Sequence, residues 1–190
     1  MALTSTQVAN QALQLSGNNQ SLVTGTAPNF DTSPAGVTLS YLYPWAVRTV
    51  GRQFNWDFSR STATLVTTGN TPPIPWTDEY VYPASAVQVW QLLASASLTD
   101  VNNPLPVNWV VANNLVSAVQ TKVIQTNLGS ASAVFDNLPA EGVWDPGFQE
   151  AVVRLLASEL AMGLDGRPET AQQYYESSAQ ISGFMQGRRD

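Results

Sequence analysis

An α+β fold is predicted by three features of this 190-residue sequence. Helical periodicity marks both ends of the chain, and an alternating, β-branched pattern fills residues 59–137 between clusters of Pro, Gly and Asn. Each helical segment also carries an apolar face that needs a partner. Together they predict a four-helix lobe built from residues 1–58 and 140–190, with an inserted antiparallel β lobe over 59–139.

The first helix is announced by Thr4-Ser5-Thr6-Gln7, which fits a capping box, followed by Val8, Ala12 and Leu15 at helical spacing and by Gly17 as a stop. A polar loop over 18–32 follows, anchored by Leu22 and Val23. In the second helix, 34–53, Ser33 serves as cap and Pro34 fits the first turn. Val37, Tyr41, Trp45 and Leu42, Ala46, Val50, Phe54 line one broad face, and Trp45, Trp56 and Phe58 are expected in the core. Pro44 removes a hydrogen bond and crowds the Ser40 carbonyl, so either one kinked helix or two helices broken at Tyr43 satisfy the pattern. Trp56 and Phe58 are expected to seal the junction of the lobes, where large rings exclude the most water.

Candidate strands are 62–67, 86–92, 107–112, 115–119, 122–126 and 131–135, with Asn113-Asn114 as a tight turn because Asn tolerates positive φ. The run Thr71-Pro72-Pro73-Ile74-Pro75-Trp76 cannot pair as a central strand and reads as an exposed or partner-facing loop. Asp145-Pro146 opens a third helix carrying Phe148, Ala151, Val152, Leu155, Leu156 and Met162, ended by Gly163 and Gly166. A fourth, from about 168 to 185, places Ala171, Tyr174, Tyr175, Ser178, Ile181, Phe184 and Met185 on one side.

Charged residues make up 12% of the chain, about half the usual 25%. Extensive subunit contacts would explain the shortage, and so would a neutral surface rich in Ser, Thr, Asn and Gln. The net charge is −6 and the basic residues are scattered, so no stripe for gripping phosphates exists. With no Cys and no His, disulfides, thiolate nucleophiles, histidine acid-base chemistry and ordinary zinc sites are closed. No apolar run approaches the roughly 20 residues of a membrane span, and the N-terminus lacks the pattern of a leader. A soluble protein made in a cytoplasm is expected, with no cofactor, no metal site and no catalytic residue.

Four segments, in order, carry a resemblance. Ala12-Leu13-Gln14-Leu15-Ser16-Gly17 precedes Ser21-Leu22; Tyr43-Pro44 is followed by Arg52 and Trp56-Asp57-Phe58-Ser59; Trp76 precedes Tyr80-Val81-Tyr82-Pro83; and Trp144-Asp145-Pro146 precedes Ala157-Ser158-Glu159-Leu160-Ala161. The series resembles the head-to-tail adaptor (tail tubular protein A) family of short-tailed bacteriophages, the second segment being the most specific. One departure is Tyr82, which stands where the family has a leucine. The resemblance implies a non-enzymatic virion protein at the portal vertex of the tail. It implies a ring, commonly of twelve copies, between the portal protein and the tail nozzle protein, leaving open contacts with tail fibres. DNA would pass through its channel without specific binding, and an acidic lumen of copies at −6 each would let it slide.

Glu159 falls among Leu155, Leu156 and Met162, so a structural ion pair with Arg52 or Arg48 is expected, because unpaired burial is costly. Partner-facing candidates are Pro73, Ile74 and Trp76 on the proline loop and Phe184, Met185, Arg188 and Arg189 at the C-terminus; both segments could instead fold back on their own subunit. Two other readings stand beside the adaptor. A tail-associated glycan hydrolase would need a carboxylate pair, for which Asp78-Glu79 and Glu141 with Asp145 are the available acids. Neighbours in sequence within a strand point to opposite faces, so Asp78 and Glu79 would make a poor pair. The other reading is a small binding module unconnected with phages.

Overall fold

The computed structural model describes residues 3–17, 22–54, 56–94, 107–163 and 168–186. The fold is α+β. The chain divides into two compact units, one made of Met1–Phe58 and Pro139–Asp190 and the other of Ser59–Leu138.

In the helical unit, α1 spans Ser5–Leu15. Its reciprocal capping box is formed, with the Gln7 amide donating to Thr4 Oγ1 at 3.3 Å and the Thr4 amide to Gln7 Oε1 at 2.8 Å. The following loop contains a short hairpin, β1 (Gly25–Thr26) and β2 (Asn29–Phe30). Asn10 fastens that loop like a strand edge, donating to the Val23 carbonyl at 3.0 Å and accepting from its amide at 2.8 Å. Val23 is buried, whereas Leu22 is exposed. α2 (Pro34–Gln53) runs unbroken through Pro44, so the reading of two helices parted at Tyr43 is excluded. Ser33 accepts from the Gly36 amide at 3.1 Å, and Asp31 accepts from the Thr24 and Ser33 amides. The Ser33 hydroxyl and these amides hold Asp31 down to about 2. Gly36 is required here because a Cβ would lie 2.2 Å from the Asp31 carbonyl oxygen.

α3 (Pro146–Gly163) is the hub, with α1, α2 and α4 (Pro168–Gln186) all packed against it. That role explains its apolar residues on nearly every side, with Phe148, Ala151, Val152, Leu155, Leu156 and Leu160 among those buried. The Asp145 carboxylate caps it, accepting from the Gly147 amide at 2.7 Å. Met162, placed on the core stripe by periodicity, is exposed instead, one residue from the helix end. Ser178 of α4 donates to the Ala151 carbonyl at 3.1 Å and Tyr174 to that of Leu15 at 2.8 Å. Trp56, Phe58 and Trp144 each meet Phe148 edge to face with centroids 4.8 to 5.1 Å apart, and Trp56 and Phe58 are tilted against each other at 6.1 Å. The Trp56 indole N–H donates to the Val50 carbonyl.

The β unit holds two three-stranded antiparallel sheets, ordered β3-β8-β5 and β4-β7-β6. Their strands are β3 (Arg60–Thr64), β4 (Asp78–Val81), β5 (Gln88–Ala94), β6 (Trp109–Val116), β7 (Val119–Thr126) and β8 (Ala131–Asp136). Leu65, Tyr80, Val89, Leu92, Ile124, Ala133 and Phe135 make their common core. The β6–β7 turn is Ser117-Ala118, with φ of 50° and 64°, and not Asn113-Asn114. Both asparagines lie within β6, opposite Lys122 and Thr121; side-chain hydrogen bonding holds Asn114 there.

Candidate interaction site

On α2 the buried row is Ala35, Leu39, Tyr43, Ala46 and Val50, facing α3. Val37, Tyr41 and Trp45 recur at i, i+4 and i+8, about half a turn away at 3.6 residues per turn. They are 48%, 78% and 44% exposed. Trp45, expected in the core, is therefore a surface residue, and the single broad face read from the sequence is two faces on opposite sides of the helix. Arg48 and Arg52 are exposed too and fall on the same side as this outer row. No acid occurs anywhere in α2. The outer face is thus an aromatic strip with a basic end.

The helical unit also contains an open groove of about 420 Å³ along α1 and α3. Leu3, Leu15, Pro146 and Val153 form its apolar lining, and the amides of Gln11, Gln14 and Gln149 give it polar points. Glu150 and Arg154 stand on its wall, paired at 2.6 Å. Sequence reasoning missed this feature because its two walls are more than 120 residues apart. α1, which contributes one wall, has no charged residue.

Of the partner-facing residues expected on the proline loop, Ile74 is 97% exposed, Pro73 is exposed and Trp76 half-buried. The loop is closed at its base, where the Trp76 amide donates to the Pro73 carbonyl and the Thr77 amide to Asn127 Oδ1, both at 3.0 Å. The Phe184 and Met185 side chains, Arg188 and Arg189 lie outside the described residues. Glu159 and Arg52 are not paired: Glu159 is half-buried and Arg52 exposed, and among the described residues the ion pair formed is Glu150–Arg154. Glu159 keeps access to water, which removes the need for a buried counter-charge.

The carboxylates weighed for glycan hydrolysis are occupied. Glu79 is 3% exposed and accepts from Gln125 Nε2 at 2.9 Å, Asn114 Nδ2 at 3.0 Å, Asn70 Nδ2 at 3.1 Å and Thr68 Oγ1 at 2.9 Å. Burial pushes its pKa up, but these four donors together outweigh that and hold it below the usual carboxylate range. A general acid needs the opposite shift. Asp78 accepts from Thr77 Oγ1 at 2.6 Å, Glu141 accepts from the Tyr43 hydroxyl at 3.0 Å, and Asp145 caps α3. Tyr43 is pushed up by burial and by the Glu141 charge. Asp136, fully buried, accepts from Ser59 Oγ at 2.8 Å and from the Trp90 indole. Burial raises it against the lowering effect of those donors and of Arg60. Both buried acids act as hubs that tie strands and loops together.

Among the described residues no group of three or more Asp or Glu could hold a metal ion, and no helix is long and apolar enough to cross a membrane. No family model matches the chain, and no curated protein matches it.

Proposed function

We propose that this chain is a structural virion subunit, a head-to-tail adaptor that assembles into a ring between portal and tail nozzle. The observation that carries the reading is the outer row of α2. Three large apolar side chains stand exposed in line on a well-packed helix, in a chain with only 12% charged residues. Contiguous exposed apolar surface marks sites of protein association, and aromatic anchors with Arg at their margin are the usual composition of such sites. The ordered segments described above, from the Ala12–Gly17 helix end to Trp144-Asp145-Pro146, support the phage family in particular.

In this reading the copies bind one another and the portal, the protruding Ile74 loop is a second contact point, and DNA passes without specific recognition. Twelve copies and contact with the nozzle belong to the same proposal. The test is the mass of the purified protein, alone and mixed with its portal protein, by light scattering after size separation. A ring-sized complex supports the proposal, whereas a persistent monomer of 20.5 kDa in both samples overturns it.

A further inference from the structure

We infer that neighbouring copies join head to tail, the outer row of α2 on one copy seating in the α1/α3 groove of the next. The inference rests on the reading of the chain as a self-associating subunit and specifies which surfaces meet. Its first support is chemical fit. Tyr41 and Trp45 offer ring faces for the Leu3, Leu15 and Val153 lining, and a hydroxyl and an indole N–H for the Gln11 and Gln14 amides. A groove of about 420 Å³ is within the roughly 300–1,000 Å³ of clefts that enclose compact ligands, which suits an aromatic anchor.

Its second support is charge. Two copies at −6 each repel over most of their surfaces, but the α2 strip ends in Arg48 and Arg52 and carries no acid. The groove wall presents Glu150, whose side chain is 53% exposed beside Arg154. Arg154 donates only to Oε1 of Glu150, so Oε2 is the acceptor left for the Arg48–Arg52 end of the strip, and that contact fixes the direction in which the strip lies. The third support is geometric. The outer row lies on the side of α2 opposite its α3-facing row, whereas the groove runs along α3, so one copy carries the two patches as separate surfaces. Joining different patches is a heterologous contact, which propagates and closes into a ring when the rotation permits.

Because the chain has no cysteine, thiol cross-linking reads this contact directly. Val37→Cys, which keeps the Tyr41 and Trp45 rings, and Gln14→Cys, both at exposed positions, are made singly and together, with Gln11→Cys as a second groove position. Each full-length variant is assembled as the wild type is, with its mass followed by light scattering, and treated with a short bis-maleimide. Neither single variant should cross-link, an equal mixture of the two should give covalent dimers, and the double variant should give a ladder above dimer on a denaturing gel. Dimers from Val37→Cys alone would mean that the strip packs on itself and would overturn the inference. An assembled complex with no ladder from either groove position would overturn it while leaving the adaptor proposal standing. Absence of any assembled complex for the wild type would remove both.

Discussion

At Glu79 a buried carboxylate is stabilised by four neutral donors, with no cation beside it among the described residues, so its removal is costly in a particular way. Glu79→Gln keeps the shape but turns one acceptor into a donor facing the amide groups of Asn70, Asn114 and Gln125. Leaving such groups unmatched costs about 1–3 kcal/mol, which chemical denaturation at pH 7 should register as a lower midpoint. The sign of the pH dependence follows from the lowered pKa. A depressed folded-state value contributes stability above the unfolded value and loses it as pH falls through the folded one. The wild-type advantage over Glu79→Gln should therefore be full at neutral pH and shrink below the ordinary carboxylate range. An advantage that grows with acid would contradict the geometry. Asp136, raised by burial, works in the opposite sense, but it is common to both proteins and cancels in the comparison. A second residue-scale outcome concerns Ala118, at φ 64°. The left-handed region costs a residue with a Cβ roughly 1–2 kcal/mol, so Ala118→Gly should raise the melting temperature by a few degrees, and a lower one would contradict the turn assignment.

At the scale of elements, the proposed reading assigns folding to one side of α2 and association to the other. Leu39 is fully buried, and Leu39→Ala should cost about 2–5 kcal/mol. Tyr41, 78% exposed, should tolerate Tyr41→Ser within about 0.5 kcal/mol while the assembled fraction falls sharply. Thermal melts and light scattering on the same samples distinguish these effects; equal losses of stability at both positions would place the outer row in the core. The helices were legible because their boundary signals are local: Thr4 with Gln7, Ser33-Pro34 and Asp145-Pro146 each act within a turn. The sheets were less so. Asp78–Val81 is four residues with two acids, too short and too polar for a periodic signal, and is made a strand by pairing with β7. Asn113-Asn114 has turn chemistry, but Asn114 is drawn into β6 by Glu79, whereas Ser117-Ala118 takes the turn although neither residue favours positive φ. The exposed proline loop was legible from its prolines alone. The outer row of α2 was readable in its spacing but merged with the core row, because apolar character does not say which of two opposite faces the rest of the fold will cover.

For the whole molecule, the proposed reading makes low charge, an aromatic strip and a groove the features of a subunit that completes its burial by meeting other copies. A surface of this kind can be too weak to assemble in dilute solution yet close into a ring on a template that holds the copies together, through effective concentration. That places the most direct test on the wild-type chain with its portal protein. Size separation with light scattering should give one complex whose mass exceeds that of the portal assembly by several multiples of 20.5 kDa, whatever the state of the chain alone. An unchanged portal mass beside a separate 20.5 kDa monomer would contradict the adaptor account.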